Sequence, residues 1–263
     1  MSYVVFARRY RPKDFDEVIG QEHIATTLKN AIKQDRVAHA YLFSGPRGVG
    51  KTTTARILAK ALNCEKGPTQ KPCNNCISCK EISSGTSMDV IEIDGASNRG
   101  IDEVRALREN VKFAPSHGQY KLYIIDEVHM LTQEAFNALL KTLEEPPPHV
   151  KFIFATTQPN KVIATVLSRC QRFDFRKLSI KDISAKLKEI AGNESIEIEE
   201  EALFSMARQA GGSLRDAETI LDQMNAFCSG LIRREDIQRV LGFVDEELLG
   251  EFTDILIKKD AQA

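Results

Sequence analysis

No stretch of this 263-residue chain approaches the 18 consecutive apolar residues that a membrane-spanning helix needs. The N-terminus carries Arg8, Arg9, Arg11 and Lys13 without the apolar core of a signal peptide, so the chain is read as cytoplasmic. An excess of charge of either sign is also missing. Lys and Arg number 36 against 37 Asp and Glu, a formal net charge of -1, which excludes the global basic field that advertises nucleic-acid binding; any contact with DNA must come from a local patch. There is no internal repeat and no low-complexity tract, which sets aside solenoids and disordered tails. What remains has ordinary globular proportions, 42% hydrophobic and 28% charged, with room for one large and one smaller domain.

Short apolar runs at Ala40-Phe43, Val90-Ile93, Leu122-Ile125 and Phe152-Ala155 alternate with helical patterns such as Glu134-Glu144, where Phe136, Leu139, Leu140 and Leu143 share a face. That alternation predicts βαβ units and a mostly parallel sheet covered on both faces, with Arg172-Phe175 as a fifth strand. After about Arg176 strand signals stop. Helical patterns follow around Ile180-Ile190, Glu199-Gln209, Ser213-Phe227 and Arg233-Leu241, and a further one over Val244-Lys259. The predicted organisation is an α/β nucleotide-binding domain over residues 1-176, a small all-helical domain over 177-242, and the truncated start of a C-terminal helical domain over 243-263.

Directly after the first strand stands Gly45-Pro46-Arg47-Gly48-Val49-Gly50-Lys51-Thr52, a complete G-x-x-x-x-G-K-[ST] loop, followed by Thr53 and a helical pattern to Asn63 with Ala55, Leu58, Ala59 and Leu62 on one face. Its four fixed positions arise by chance in a chain this long with a probability of roughly one in a hundred. Backbone N–H groups of such a loop and the helix N-terminus cradle phosphate oxygens, Lys51 supplies a point charge, and the Thr52 hydroxyl ligates Mg²⁺, so the chain is read as binding a nucleoside triphosphate. Leu122-Tyr123-Ile124-Ile125-Asp126-Glu127 is an apolar strand ending in two carboxylates. Asp126 is assigned to the metal and Glu127 to the attacking water, the alternative being a solvated acidic turn. His129, close by, is given no catalytic role. Thr157, at the end of the next strand, either orients the γ-phosphate or the water, or caps the turn at Gln158-Pro159-Asn160. Arg215 lies in the first turn of a helix capped by Ser213, where the dipole disfavours a cation; it serves either an external anion, the triphosphate, or a pairing with Asp216 or Glu218.

Cys64, Cys73, Cys76 and Cys79 form C-x8-C-x2-C-x2-C in a stretch holding Gly67, Pro68, Pro72, Asn74 and Asn75. Overlapping CxxC steps in a cytosolic chain favour tetrahedral Zn²⁺ over disulfides, as a structural knuckle inserted over 64-88. Cys170 and Cys228 are isolated and default to the core.

With these elements in place, the chain resembles the AAA+ clamp-loader ATPases, and within them the tau/gamma family of bacterial DNA polymerase III. The resemblance rests on Arg8-Arg9-Tyr10-Arg11-Pro12 with Phe15, Val18-Ile19-Gly20-Gln21-Glu22-His23, the phosphate loop, the four cysteines, Ile125-Asp126-Glu127-Val128-His129-Met130-Leu131, Leu140-Lys141-Thr142-Leu143-Glu144-Glu145-Pro146-Pro147 and Ser168-Arg169-Cys170. It implies an AAA+ fold with a helical lid and ATP as nucleotide. It also implies an adenine pocket from Tyr10, Arg11, Pro12, Val18 and Ile19, and Arg169 as an arginine finger acting on a neighbouring subunit. The partners it implies are further copies of the chain, delta and delta-prime subunits, the sliding clamp and primer-template DNA, with no membrane. No polymerase active site is seen. Intact Lys51, Thr52, Asp126 and Glu127 predict hydrolysis, unlike a silent delta-prime subunit. Two other functions are weighed: a nucleotide-gated scaffold with negligible turnover, and another AAA+ DNA motor such as a branch-migration helicase. DNA contact is placed on the helix from Asn98-Arg99-Gly100 through Arg105, against a solvated mixed-charge face.

Overall fold

The structure is a computed structural model that describes residues 3–98, 100–228, 230–242, 253–255 and 257, with the side chains of 101–105 outside that description. Five strands, β1 (Ala40–Ser44), β2 (Val90–Asp94), β3 (Lys121–Asp126), β4 (Val150–Thr156) and β5 (Gln171–Asp174), form one sheet in the order β2-β3-β4-β1-β5. Every pairing is parallel. The chain leaves β1 for the far edge, returns through β3 to place β4 beside β1, and then adds β5 on the other side. The crevice that such a reversal opens lies at the carboxyl ends of the strands.

Strands β1, β3 and β4 are buried along nearly all their length, as continuous apolar runs require when helices cover both faces. The edge strands are not. In β2, Glu92 and Asp94 are exposed, and in β5 only Phe173 is buried, because an edge strand packs against one neighbour only. Alternate residues divide the core in two. On one face Tyr41, Phe43, Leu122, Ile124 and Ile153 pack with Ile24, Leu28 and Ile32 of α2 (Glu22–Lys33) and Ile57, Leu58 and Leu62 of α3 (Lys51–Asn63). On the other face Leu42, Tyr123, Ile125, Phe152 and Phe154 pack with Leu107 of α5 (Ile101–Asn110) and Phe136, Leu139 and Leu143 of α6 (Gln133–Glu144). Each such fully buried side chain contributes about 1.5–3 kcal/mol. Between α3 and β2 lies the cysteine-bearing segment with α4 (Ile77–Ser84); α7 (Ala164–Leu167) precedes β5.

The chain divides into two compact units, residues 11–178 and the described residues from 3 to 10 and from 179 onward. The second unit holds α8 (Ile180–Asn193), α9 (Glu200–Gln209), α10 (Leu214–Phe227) and α11 (Arg234–Leu241). Its core is Ile183, Leu187, Ile190, Leu203, Met206, Leu221, Met224 and Ile237. Ser179 and Ser213 cap α8 and α10 by accepting the N–H groups of Asp182 and Asp216. At the N-terminus α1 (Phe6–Arg9) groups with the helical unit, whereas the sequence reading places it in the 1-176 domain. Phe6 is buried, Arg9 pairs with Glu194 at 2.9 Å, Tyr10 hydrogen-bonds the same carboxylate, and the Tyr3 hydroxyl donates to Asp222. Of the further helix expected over Val244-Lys259, residues 243–252 lie outside the described residues, as do 256 and 258–263. No helix among the described residues is long and apolar enough to cross a membrane.

Candidate functional site

The phosphate loop runs from the end of β1 into α3, and its glycines are there for steric reasons. Gly45 has φ +146, and a Cβ at that position would come 2.5 Å from the Phe175 carbonyl oxygen. Gly50, at φ +99, occupies the position before α3 with no side-chain cap, so the first N–H groups of a 13-residue helix have no side-chain acceptor and point at an anion site. Val18, one of the adenine-pocket candidates, lies against this turn: its Cγ1 is 4.0 Å from where a Gly50 Cβ would be. Lys51 opens the helix, is 6% exposed, and donates from Nζ to the Gly45 and Pro46 carbonyls at 2.9 and 2.7 Å. Burial lowers its pKa against the opposing pull of the Glu127 and Asp126 charges. A buried ammonium whose partners are loop carbonyls is placed to exchange them for phosphate oxygens.

Strand order brings the acidic pair to this loop. The Thr52 hydroxyl donates to Asp126 Oδ2 at 2.6 Å, so the two oxygens expected on Mg²⁺ stand side by side, and the Glu127 N–H donates to Asp126 Oδ1 at 2.9 Å. Glu127 has φ 46 and ψ 46, a left-handed conformation that is uncommon outside glycine and costs of order 1–3 kcal/mol. The turn after β2 holds it there: the Gly95 N–H donates to the Asp126 carbonyl at 2.8 Å, and a Cβ on Gly95 would approach the Glu127 carbonyl to 2.8 Å. At the end of β4 two threonines take different partners. Thr156 accepts the Gln158 N–H at 3.0 Å and so caps the turn, whereas Thr157 donates from its N–H and hydroxyl to Glu127 Oε2 at 3.1 and 2.9 Å. The residue that sequence reasoning passed over is His129. Its ring nitrogen Nδ1 lies 3.3 Å from Glu127 Oε2 and 3.0 Å from Thr156 Oγ1. The approach to Glu127 is local, two residues along the chain, whereas the contact with Thr156 depends on β4 lying beside β3, which spacing alone does not give.

The four cysteine sulfurs all lie within 4.8 Å of one another, and none of the six cysteines forms a disulfide. Tetrahedral Zn–S bonds of about 2.3 Å require sulfurs a little under 4 Å apart, so this constellation fits zinc. The N–H groups of Cys73, Cys76 and Cys79 donate to the sulfurs of Cys64, Cys73 and Cys76, and Cys76 caps α4. Backbone N–H groups of Asn75 and Cys76 hold the Cys73 thiol down to about 6, while burial pushes Cys79 up. Lys60 of α3, 3% exposed, anchors the knuckle by donating to Asn74 Oδ1 and to the Lys13 carbonyl, each at 2.6 Å.

Other candidates lie elsewhere. Arg169, just past α7, donates to the Thr165 carbonyl at 2.7 Å and to Glu144 Oε1 at 2.7 Å. Arg215 is exposed in the first turn of α10, and Glu218, one of its alternative partners, is buried. Tyr10 groups with the helical unit, and Arg11, Pro12, Val18 and Ile19 with the sheet unit. Of the DNA-contact candidates, Arg99 and the Arg105 side chain lie outside the described residues.

Comparison with known proteins adds the following. A family profile described as "DNA polymerase III, delta subunit" matches residues 20–179, and one described as "DNA polymerase III clamp loader subunit, ATPase lid domain" matches residues 182–230. The chain is similar to "DNA polymerase III subunit tau" of Bacillus subtilis (51% identical over 99% of this chain and 46% of that protein) and of Escherichia coli (47%, over 100% and 41%). It therefore spans less than half the length of those two relatives. It is also similar to "DNA polymerase III subunit gamma" of Buchnera aphidicola from Acyrthosiphon pisum (45%, over 100% of this chain and 73% of that one). Among solved structures, the Thermotoga maritima RuvB Holliday junction branch migration motor superposes with a TM-score of 0.65 at 21% identity, covering 89% of this chain and 72% of that one, a likeness of fold.

Proposed function

Because the chain belongs to the DNA polymerase III clamp-loader family, we propose that it is an ATPase subunit of that loader, coupling ATP binding and hydrolysis to placement of the sliding clamp on primed DNA. The observation that carries this reading is the run of contacts Thr52–Asp126–Glu127–Thr157 beside an uncapped helix N-terminus. A scaffold that only binds nucleotide would not need a left-handed Glu127 held at its tip by a second strand.

In this reading the backbone of residues 45–53 and Lys51 hold the phosphates, and Thr52 and Asp126 hold Mg²⁺. Tyr10, Arg11, Pro12, Val18 and Ile19 border the adenine, Arg215 approaches the triphosphate, and Arg169 serves the ATP of a neighbouring copy. A bound magnesium nucleotide supplies the electrophilic γ-phosphoryl group and a divalent charge. Glu127 accepts a hydrogen bond from the attacking water and polarises it, while Thr157 orients the carboxylate. The four cysteines hold Zn²⁺ in a structural knuckle remote from the chemistry. The partners are the delta and delta-prime subunits, further copies of this chain, the clamp and primer-template DNA, in the cytoplasm.

The test is steady-state ATPase of the assembled loader with and without clamp and primed DNA. A loader is stimulated by both together; a branch-migration motor translocates on DNA without a clamp, and a scaffold turns over under no condition. Lys51→Ala abolishes productive ATP binding, whereas Glu127→Gln binds ATP and does not hydrolyse it. Normal hydrolysis by Glu127→Gln overturns the assignment of that carboxylate.

A further inference from the structure

Among the described residues, both hydrogen bonds to the Glu127 carboxylate fall on one oxygen, Oε2. Two donors come from Thr157, and the third neighbour is His129 Nδ1 at 3.3 Å, in the short 3-10 turn Val128–Met130 that follows Glu127. The His129 side chain is 4% exposed, so its place is set by packing and not by solvent.

The tautomer follows from the charge beside the ring. Thr156 Oγ1, 3.0 Å from Nδ1, already accepts the Gln158 N–H and has a second lone pair to offer. Were Nδ1 bare, the Thr156 hydroxyl would donate to it, but a lone pair would then lie 3.3 Å from a Glu127 carboxylate oxygen, a repulsion the Nδ1–H tautomer replaces with attraction. With the proton on Nδ1, the ring donates to Thr156 Oγ1 and sets the positive end of that N–H 3.3 Å from Glu127 Oε2. Both contacts are then favourable.

The terminal torsion of a glutamate is broad and roughly two-fold, so an untethered carboxylate interchanges its oxygens freely. The two Thr157 donors at the end of β4 and the His129 ring in the turn after β3 converge on Oε2, remove that freedom and leave Oε1 as the oxygen facing the site. We propose that His129, protonated on Nδ1, is a positioning residue that fixes the Glu127 carboxylate with Oε1 presented for water. This rests on the reading of Glu127 as the water-polarising group. His129 itself touches no reacting atom.

Two measurements on the full chain test it. In the first, long-range ¹H–¹⁵N spectra of histidine-labelled protein without nucleotide, assigned by the signal lost in His129→Asn, show the Nδ1–H tautomer, and Glu127→Gln moves its ring resonances. A proton on Nε2 only, or resonances indifferent to Glu127→Gln, overturns the proposal. In the second, His129→Ala in the assembled loader lowers kcat by about tenfold or more, the scale of effect that misplacing a catalytic group produces. KM and the affinity for a fluorescent ATP analogue stay unchanged, and His129→Asn, whose amide N–H reaches the place of Nδ1, recovers most of the loss. Full activity of His129→Ala, equal losses in both variants, or a loss tracking nucleotide affinity refutes it. A wild-type loader that hydrolyses no ATP under any condition refutes the proposed function instead, and the tautomer measurement still reads the His129–Glu127 contact.

Discussion

As the proposed arginine finger, Arg169 would have to leave one partner to serve another, and the structure gives the cost. Its guanidinium donates to Glu144 Oε1 at 2.7 Å and to the Thr165 carbonyl at 2.7 Å, with the Arg169 and Glu144 side chains 33% and 50% exposed. An ion pair this open to water contributes about 0–1 kcal/mol. The hydrogen bond to an exposed carbonyl contributes about 1 kcal/mol. Releasing the side chain thus costs about 1–2 kcal/mol, whereas an arginine finger acting on a γ-phosphoryl group accelerates transfer by about 10³ or more, equivalent to about 4 kcal/mol. On that proposal the catalytic gain exceeds the release cost, and the pair with Glu144 would be a resting place and not a lock. In an assembled loader supplied with clamp and primed DNA, Arg169→Ala reduces steady-state turnover by about 10³ or more. Glu144→Gln, which keeps an acceptor oxygen and drops the charge, leaves it unchanged or raises it by no more than about fivefold. The chain as a monomer hydrolyses ATP very slowly and keeps its ATP affinity in Arg169→Ala. Mixing Arg169→Ala with Lys51→Ala subunits restores some interfaces with an intact finger facing an intact loop, and with them activity. A loss in Glu144→Gln as deep as in Arg169→Ala would make the pair itself the working state. Absence of recovery at any mixing ratio, in assemblies shown to form, would refute action across the interface.

Purified protein contains one zinc per chain by metal analysis, Cys76→Ser loses it, and chelation loosens the knuckle while the far-ultraviolet signal of the main sheet persists; full zinc in Cys76→Ser contradicts the four-thiolate site. Removing Lys60 by Lys60→Met speeds zinc release to a chromogenic chelator, since Asn74 then loses its buried partner; an unchanged rate speaks against the anchor. Asp89, 5% exposed, accepts the N–H groups of Ser116, His117 and Gly118 at 2.6–2.8 Å and so fastens the loop that leads into β3. Asp89→Ala therefore lowers unfolding free energy by about 2–4 kcal/mol in denaturant titration, and a loss under 1 kcal/mol would show the clamp to be idle. Burial alone would push the Asp89 carboxyl up, but the three N–H groups outweigh it and hold the pKa below its ordinary value. With the folded value depressed, the contribution is fully present above the unfolded carboxyl pKa of about 3.9 and is lost as pH falls through the folded one, so wild type and Asp89→Ala converge in stability in acid.

Local pattern alone determined much of this protein. The apolar runs at 40–43, 90–93, 122–125 and 152–155 are strands because a buried parallel sheet demands uninterrupted Val, Ile, Leu and Phe, and the weaker run at 172–175 is the edge strand β5. The phosphate loop and the C-x8-C-x2-C-x2-C spacing were equally legible, since each packs its chemistry into consecutive residues whose geometry is set nearby. What depended on distant pairing was not. That β4 lies between β3 and β1 follows from closing the core over the whole sheet, and it is this order that brings Thr157 to Glu127 and Thr156 to His129 from positions that sequence spacing does not connect. The left-handed turn at Glu127 is braced by Gly95, from the neighbouring strand's end, whose N–H holds the Asp126 carbonyl. Residues 3–10 read as the start of the sheet domain, yet Phe6 and the contacts to Glu194 and Asp222 assign them to the helices. Periodicity reports which face of an element is apolar; which partner covers that face is decided by the competition among all faces at once, and only the folded chain resolves it.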